Sequence, residues 1–219
     1  TIVELESRIV PTEDEEISDY LQKSLEKYGI KVKTNTRFES IQVENGEAVV
    51  SILENGKSSV IKADRVLVAV GMTGNIEELG LEGLGVDIDK GYINIDSKMQ
   101  TSIPGIYAIG DVTGKMLLAH VASAQGVFAV ESIAGLKPTG LDYDLMPRAI
   151  YCHPQVASFG LTENQAREKG YELNIGRFPL SASGKAIAMG ETEGMVKVVA
   201  EKEIGDILGV HMIGSEVTE

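Results

Sequence analysis

The stretch that decides how this chain is read is Thr101–His120, TSIPGIYAIGDVTGKMLLAH. Its apolar run, Ile106 to Ile109, stops at Gly110 and Asp111, and a helix-forming run begins at Met116. The pattern predicts a strand ending in a glycine and an acid ahead of a helix. Ligands of open α/β sheets sit beyond the carboxyl ends of strands, where backbone amides and one carboxylate can grip a cofactor. Taken as a bare dipeptide, Gly110-Asp111 is more simply a turn in which Asp111 caps neighbouring amides. The longer motif around it reverses that reading.

Working outward, the amino-terminal side opens with Thr1–Glu4 (TIVE), a short buried strand with an acid at its carboxyl end. In a dinucleotide-binding βαβ unit such an acid accepts a hydrogen bond from a ribose hydroxyl; considered alone, Glu4 is more simply an ordinary solvated acid. Thr12 and Glu15 have the spacing of a capping box, and Ile17, Leu21 and Leu25 recur every fourth residue as a buried stripe that Gly29 ends. From Ile30 the period changes to two. Asn45-Gly46 and Asn55-Gly56 separate the alternating runs around Ile41–Val43, Val49–Leu53 and Val60–Lys62, which predicts a β-meander. Val66–Val70 is a continuous apolar run of the kind found in a strand covered on both faces, and Gly71 would let a backbone approach closely.

Residues Gly74–Gly85 are glycine-rich but lack the spacing and the Lys-Ser/Thr of a phosphate loop, and Glu77, Glu78 and Glu82 would repel phosphate; they are a connector. A hairpin is expected about Lys90-Gly91. Met116–Gly135 reads as a helix with many small residues, whose first amides could face an electron-rich ring or a phosphate. His120 near its start could be an acid or a base but on an apolar segment is more simply structural. Lys137–Leu145 reads as a boundary. Beyond it the pattern is α+β, with strands at Ala149–Cys152, Val156–Gly160, Tyr171–Phe178, Met195–Ala200 and Ile207–Ile213, and a second capping box at Thr162 and Gln165. One antiparallel sheet with a helix on it is the simplest packing.

The composition limits the possible functions. The 219 residues are 43% hydrophobic and 24% charged, enough for a sizeable core in one or two domains. A formal net charge of -13 without a basic cluster argues against nucleic acid. No apolar run approaches the roughly 20 residues that span a bilayer, so no membrane partner is expected. Cys152 is the single cysteine, which excludes an internal disulfide and dithiol chemistry within the chain and fits a reducing, cytoplasmic setting. Neither His153 nor His211 stands in metal-ligand spacing with Cys152, so no metal site is expected. Thr1 opens directly onto a strand-like stretch and Val217-Thr218-Glu219 follows a strand without a closing element, so the chain reads as a piece of a longer protein.

The longer motifs carry a resemblance that composition cannot. Thr101–Asp111 resembles the second flavin-binding motif of the two-dinucleotide-domain flavoprotein disulfide reductases, and Val68-Ala-Val-Gly71 is similar to the strand before it. Met116-Leu-Leu-Ala-His120, Tyr151-Cys-His-Pro-Gln-Val-Ala157, Gly160-Leu-Thr-Glu163, Gly194-Met-Val-Lys197 and Ile207-Leu-Gly-Val-His211-Met-Ile-Gly214 are similar, within that group, to the dihydrolipoyl dehydrogenase family, nearly end to end.

The resemblance implies parts of FAD- and NAD-binding Rossmann-like domains (α/β) followed by an α+β, antiparallel-sheet interface domain. The implied boundaries are 1–73 for the NAD-binding part, 74–145 for the FAD-binding part and 146–219 for the interface part. Asp111 of the Gly110-Asp111 turn would bind the FAD ribityl chain, and the backbone of Leu117, Leu118, Ala119 and His120 would face the flavin. Glu4 would hold the NAD ribose, with Phe38 and Gly71 lining the nicotinamide cofactor's groove; Arg8 lies near that acid. The parent would be an NAD-dependent oxidoreductase and a homodimer, oxidising the dihydrolipoamide of a lipoyl domain in a 2-oxoacid dehydrogenase or glycine cleavage complex.

Departures from the family pattern are as informative. Met72-Thr73-Gly74-Asn75 stands where many members carry two basic residues and a proline. Both GxGxxG turns, the CxxxxC redox pair and the terminal His-Pro with its partner Glu are missing, and Cys152 cannot replace the pair. No residue is therefore assigned a catalytic role, and the chain by itself is expected to be inactive. The alternatives are another flavoprotein disulfide reductase of mercuric or glutathione type, an NADH oxidase of the same fold, or a non-catalytic dimerisation fragment.

Overall fold

The computed structural model describes residues 1–219, which divide into two compact units, Thr1–Val68 with Pro147–Glu219, and Ala69–Met146. Each is described by itself.

In the first unit, β1 (Ile2–Val3) pairs in parallel with β2 (Val32–Lys33), and α1 (Glu15–Lys27) lies between them in sequence. The cap of α1 is Asp14, whose carboxylate accepts the Glu16 N–H at 3.1 Å. Thr12, expected to cap it, lies too far upstream; Asp14 wins because the buried Lys197 ammonium, 2.9 Å from Asp14 Oδ1, fixes its carboxylate there. The predicted stripe is present, with Ile17 and Leu21 buried and Leu25 packed against the same core. The meander also forms, as β3 (Thr36–Glu44), β4 (Glu47–Glu54) and β5 (Lys57–Ala63). Asn45, Gly46, Asn55 and Gly56 all have positive φ, as hairpin turns matched to strand twist require.

The second unit holds α2 (Leu81–Leu84), the hairpin β6 (Ile88–Asp89) and β7 (Tyr92–Ile93), and α3 (Ala119–Ile133). Its core has two clusters: Ile76, Leu81, Val86, Ile93 and Ala108, and Met99 with Phe128 and Ala129. Two expected strands are absent. Val66–Val70 has no ladder partner in the chain, and Leu67 and Val70 are 90% and 88% exposed. Ile106–Ile109 is extended, but only Tyr107 makes a bridge, to Gln100. Apolar, β-branched composition makes a strand favourable only when a neighbour supplies hydrogen bonds. No helix is long and apolar enough to cross a membrane.

The carboxyl-terminal part of the first unit is one antiparallel sheet. Its strands are β8 (Arg148–Ile150), β9 (Gln155–Gly160), β10 (Leu173–Pro179), β11 (Gly194–Glu201) and β12 (Ile207–Gly214), in the order β10-β11-β12-β9-β8. Helix α4 (Glu163–Glu168) has the predicted capping box between Thr162 and Gln165. A short helix, α5 (Gly184–Met189), has no counterpart among the sequence expectations; one turn and a half is too short to show a period.

Registers place whole rows of side chains across this sheet, because directly opposed residues share a face. Met195, Ile213, Val156 and Ile150 form an apolar row, and Ile17 and Leu21 of α1 pack on it. The next row is polar in all five strands: Arg177, Lys197, His211, Ser158 and Arg148. It faces Glu13, Asp14 and Glu16 at the start of α1, and Glu163 at the start of α4. Lys197 Nζ, on a side chain 2% exposed, reaches Asp14 at 2.9 Å, Glu16 at 2.7 Å and Glu163 at 2.9 Å. Asp14 Oδ2 also accepts the Glu163 N–H at 3.2 Å, so one buried carboxylate serves two helix starts. Arg177 adds a two-pronged bond to Glu16, at 2.7 and 2.5 Å.

The charges follow from this geometry. The Arg177 guanidinium, then Lys197, overcome burial and hold the Glu16 carboxyl at about 2. Burial alone would lower the Lys197 ammonium, but bonds to Glu16, Asp14 and Glu163 outweigh it and its pKa is raised.

Removing one partner of a buried pair leaves the other charge uncompensated, at a cost of about 3–5 kcal/mol. Urea unfolding of Lys197→Met should show a loss of that order, whereas Arg177→Ala, at a half-exposed site, should lose about 1 kcal/mol or less. Equal losses would overturn the assignment of Lys197 as the central cation. Because Glu16 is depressed in the folded state, its contribution is complete above its ordinary value near 4.5 and disappears as pH falls through about 2. Stability should therefore decline across that interval, and Arg177→Ala should flatten the decline.

Candidate functional site

The residues expected to bind cofactors fall in the two units, and each group has its own geometry. In the first unit, Glu4 follows β1, with its backbone N–H on Lys33 O at 2.8 Å and its carbonyl accepting the Thr36 N–H at 2.9 Å. Glu4 is thereby tied by backbone to β2 and to the start of β3. Glu4 Oε1 accepts the Glu6 N–H at 2.9 Å, which closes the turn and leaves Oε2 to an outside donor. Glu4 thus shapes its own loop. Arg8 donates through Nη2 to Pro11 O at 3.1 Å. Phe38, on β3, is 47% exposed.

In the second unit, the Gly110–Thr113 segment is a single 3-10 turn in which Gly110 adopts φ +76°. Three bonds hold it. The Gly110 N–H donates to Gln125 Oε1 at 2.6 Å, Thr113 Oγ1 donates to Gly110 O at 2.8 Å, and the Gly114 N–H donates to Asp111 O at 3.1 Å. Gln125 is buried inside α3, and its Nε2 donates to Tyr143 Oη at 2.9 Å, which fixes which end of the amide faces Gly110. Asp111 is left exposed with its carboxylate free of bonds inside the chain.

Glycines set how closely the neighbours approach. A Cβ on Gly114 would lie 2.6 Å from Cγ of Tyr92, and one on Gly74 would lie 2.9 Å from Gly91 O and 3.1 Å from Val112 Cα. Tyr92 Oη in turn donates to Met72 O at 2.5 Å. The Met72–Gly74 segment and the Asp111 turn are therefore both packed on the Lys90-Gly91 hairpin. Gly71 itself has φ +133°, and a Cβ placed on it would meet nothing within 4 Å, so its role is conformational. Sequence reasoning did not find Tyr92, Gln125 or Tyr143. Each acts through a tertiary contact, and no local pattern marks it.

Helix α3 starts at Ala119, later than the expected Met116, because Leu118 is extended, at φ −135° and ψ 136°. No side chain caps this end. Leu117 and Leu118 are half-buried, and Ala119 and His120 are exposed beside the helix start. Cys152 belongs to neither group: its Sγ donates to Pro154 O at 3.0 Å, and burial pushes its thiol upward, which disfavours the thiolate. The arrangement offers one carboxylate at the end of each expected cofactor segment and no thiol beside it. With a single cysteine it has no dithiol relay of its own.

Comparison with known proteins bears on the family and the fold. The pyridine nucleotide-disulphide oxidoreductase family model matches residues 1–126, and the dimerisation domain of that family matches residues 146–219. Among curated proteins, dihydrolipoyl dehydrogenases of Mycobacterium leprae, Rhizobium etli and Bacillus subtilis are 49%, 48% and 42% identical over 100% of the chain. The chain spans about half the length of these relatives: 47%, 46% and 47%. Among solved structures, LpdA from Mycobacterium tuberculosis superposes with TM-score 0.88 at 24% identity, over 99% of this chain and 47% of that one. The HOCl-induced flavoprotein disulfide reductase RclA from Escherichia coli, as its Cu(II) complex, gives 0.89 at 24%, over 100% and 49%. These two likenesses establish the fold. With more than half of its length matched by the family model, the chain belongs to the pyridine nucleotide-disulphide oxidoreductase family.

Proposed function

We propose that this chain is the cofactor-orienting and dimer-forming part of an NAD-dependent dihydrolipoyl dehydrogenase. The observation that carries the reading is the Gly110-Asp111 turn, held by buried Gln125 with its carboxylate presented to solvent, in a chain whose curated relatives over its whole length are dihydrolipoyl dehydrogenases. The parent would act on the dihydrolipoamide of a lipoyl domain, in a 2-oxoacid dehydrogenase or glycine cleavage complex, in the cytoplasm. Residues 1–73, 74–145 and 146–219 would serve as parts of its NAD-binding, FAD-binding and interface regions, with the last forming a homodimer.

The residues fit the two cofactors. Asp111 is an acceptor for the hydroxyls of an FAD ribityl chain, and the uncapped start of α3 presents the backbone amides of Leu117, Ala119 and His120 to the flavin side, with Leu118 beside them, its own N–H turned to Met116 O at 2.9 Å. Glu4 Oε2 is an acceptor for ribose hydroxyls of NAD, and exposed Phe38 of the same unit is an apolar wall for that cofactor. Bound FAD would supply a two-electron carrier and NAD a hydride acceptor. The chain's own part is orientation: Gln125 fixes Gly110, Gly110 aims Asp111, and the β1–β2 pairing aims Glu4. Thiol–disulfide exchange needs two sulfurs, and Cys152 is alone, so this chain by itself does not turn over.

Two measurements test this. In the full-length flavoenzyme, Asp111→Ala should weaken FAD retention by about 10- to 100-fold, the worth of one or two hydrogen bonds to a charged group. Glu4→Ala should weaken NADH binding over a similar range with FAD unaffected. Unchanged cofactor affinities would overturn the site assignment. Assayed alone, the 219-residue chain should not reduce lipoamide with NADH; turnover would overturn the reading of it as a non-catalytic part.

A further inference from the structure

The polar row across the five-stranded sheet contains one member that the ion pairs do not explain. His211 is completely buried, and its Nε2 lies 2.9 Å from Leu161 O. A carbonyl can only accept, so Nε2 carries the proton and Nδ1 is a bare acceptor. Nδ1 has no hydrogen-bond partner. The surrounding groups are charged on every side. On the sheet, Lys197 and Ser158 are its direct neighbours, and Arg148, with Nε 3.2 Å from Ser158 Oγ, stands one strand further. From the segment leading into α1 come Asp14 and Glu13; Glu13 is 2% exposed, has Oε1 3.7 Å from Arg148 Nε, and leaves Oε2 without a partner. From α1 itself comes Glu16, and from the start of α4 Glu163, both held by Lys197.

We propose that this row is a proton-operated latch: uptake of a proton at His211 Nδ1 releases the leading end of α1 and the β9–α4 junction from the sheet. In the closed state His211 holds Leu161 O, and Asp14 holds the N–H groups of Glu16 and Glu163, so imidazole and carboxylate secure the same junction from two sides. A proton on Nδ1 would put a third positive charge between Lys197 and Arg148, in a place where the new N–H has no acceptor. The closed histidine therefore resists protonation. Burial lowers its pKa first of all, and the attraction of Asp14 and Glu13 and the Leu161 bond do not restore it. An opened histidine takes the proton at its ordinary value, so acid feeds the open state. The sign follows: the histidine's contribution to closure is whole above about 6.5 and is lost as pH falls below it. Glu16 and Glu163 are both held below the usual carboxylate range and stay charged through that interval, so neither of them supplies the response.

The test is amide exchange in the 219-residue chain, read as protection factors at about pH 7.5 and about pH 5.5, together with the imidazole titration by NMR. The Glu16 and Glu163 amides, which both donate to Asp14, report the latch, and the Val198 and Val210 amides of the β11–β12 ladder report global opening. The two latch amides should lose about tenfold in protection at the lower pH, the factor by which one pH unit below an ordinary histidine value favours the protonated open form. The ladder amides should keep theirs, and the imidazole should remain in the Nε2–H form at the higher pH with its midpoint below about 6.5. His211→Gln keeps a donor for Leu161 O but cannot titrate, so its latch amides should not respond. Three results would overturn the latch: an equal response in the glutamine variant, a parallel loss in the ladder, or a folded-state midpoint at or above the ordinary value. Should His211→Gln not fold, Glu13→Gln takes its place. Removing that carboxylate should move the His211 midpoint further down, and an unchanged or raised midpoint counts against the proposal.

Discussion

The structure of the first unit depends on the buried bond between Lys197 and Asp14. A lysine ammonium without partners inside a protein loses several kcal/mol of hydration, so it is tolerated only where carboxylates surround it. Here three do, and all three stand at helix starts, Asp14 and Glu16 at that of α1 and Glu163 at that of α4. The ion cluster therefore dictates where α1 and α4 begin and how both lie on the sheet. Once α1 is anchored at its amino end, its Ile17 and Leu21 fall on the apolar row of Met195, Ile213, Val156 and Ile150. Hydrophobic burial supplies the bulk of the stability, and the ionic row supplies the registration that directs it.

The second unit uses a different device. Its turn at Gly110-Asp111 is held by backbone hydrogen bonds, by one buried amide and by glycines that let Tyr92 and Val112 come close. The result is a rigid frame with one acceptor in it, which suits holding a polyhydroxyl chain in place. The chain's one cysteine is half-buried, and burial pushes its thiol up, which disfavours the thiolate.

Much of this is legible in the residues. The two Asn-Gly turns, the capping box at Thr162 and Gln165 and the strands of the interface sheet are local patterns, and each forms where its pattern lies. Local spacing puts the cap of α1 at Thr12, whereas the structure puts it at Asp14, because Lys197, 183 residues further along the chain, decides between two capable side chains. Val66–Val70 and Ile106–Ile109 have strand composition and no strand, because composition is a property of the run whereas a ladder is a property of two runs.

The sequence by itself determined the family motifs, the period-two and period-3.6 segments, and which acids stand at the ends of cofactor-like segments. These are readable because neighbouring residues set them through dihedral preference and side-chain period. Only the tertiary structure decided that five polar residues from five strands line up as one row, that His211 has one nitrogen satisfied and one bare, and that Gln125 reaches back to Gly110. Those facts rest on strand register and on contacts between residues distant in sequence, for which a single chain of letters carries no local signal.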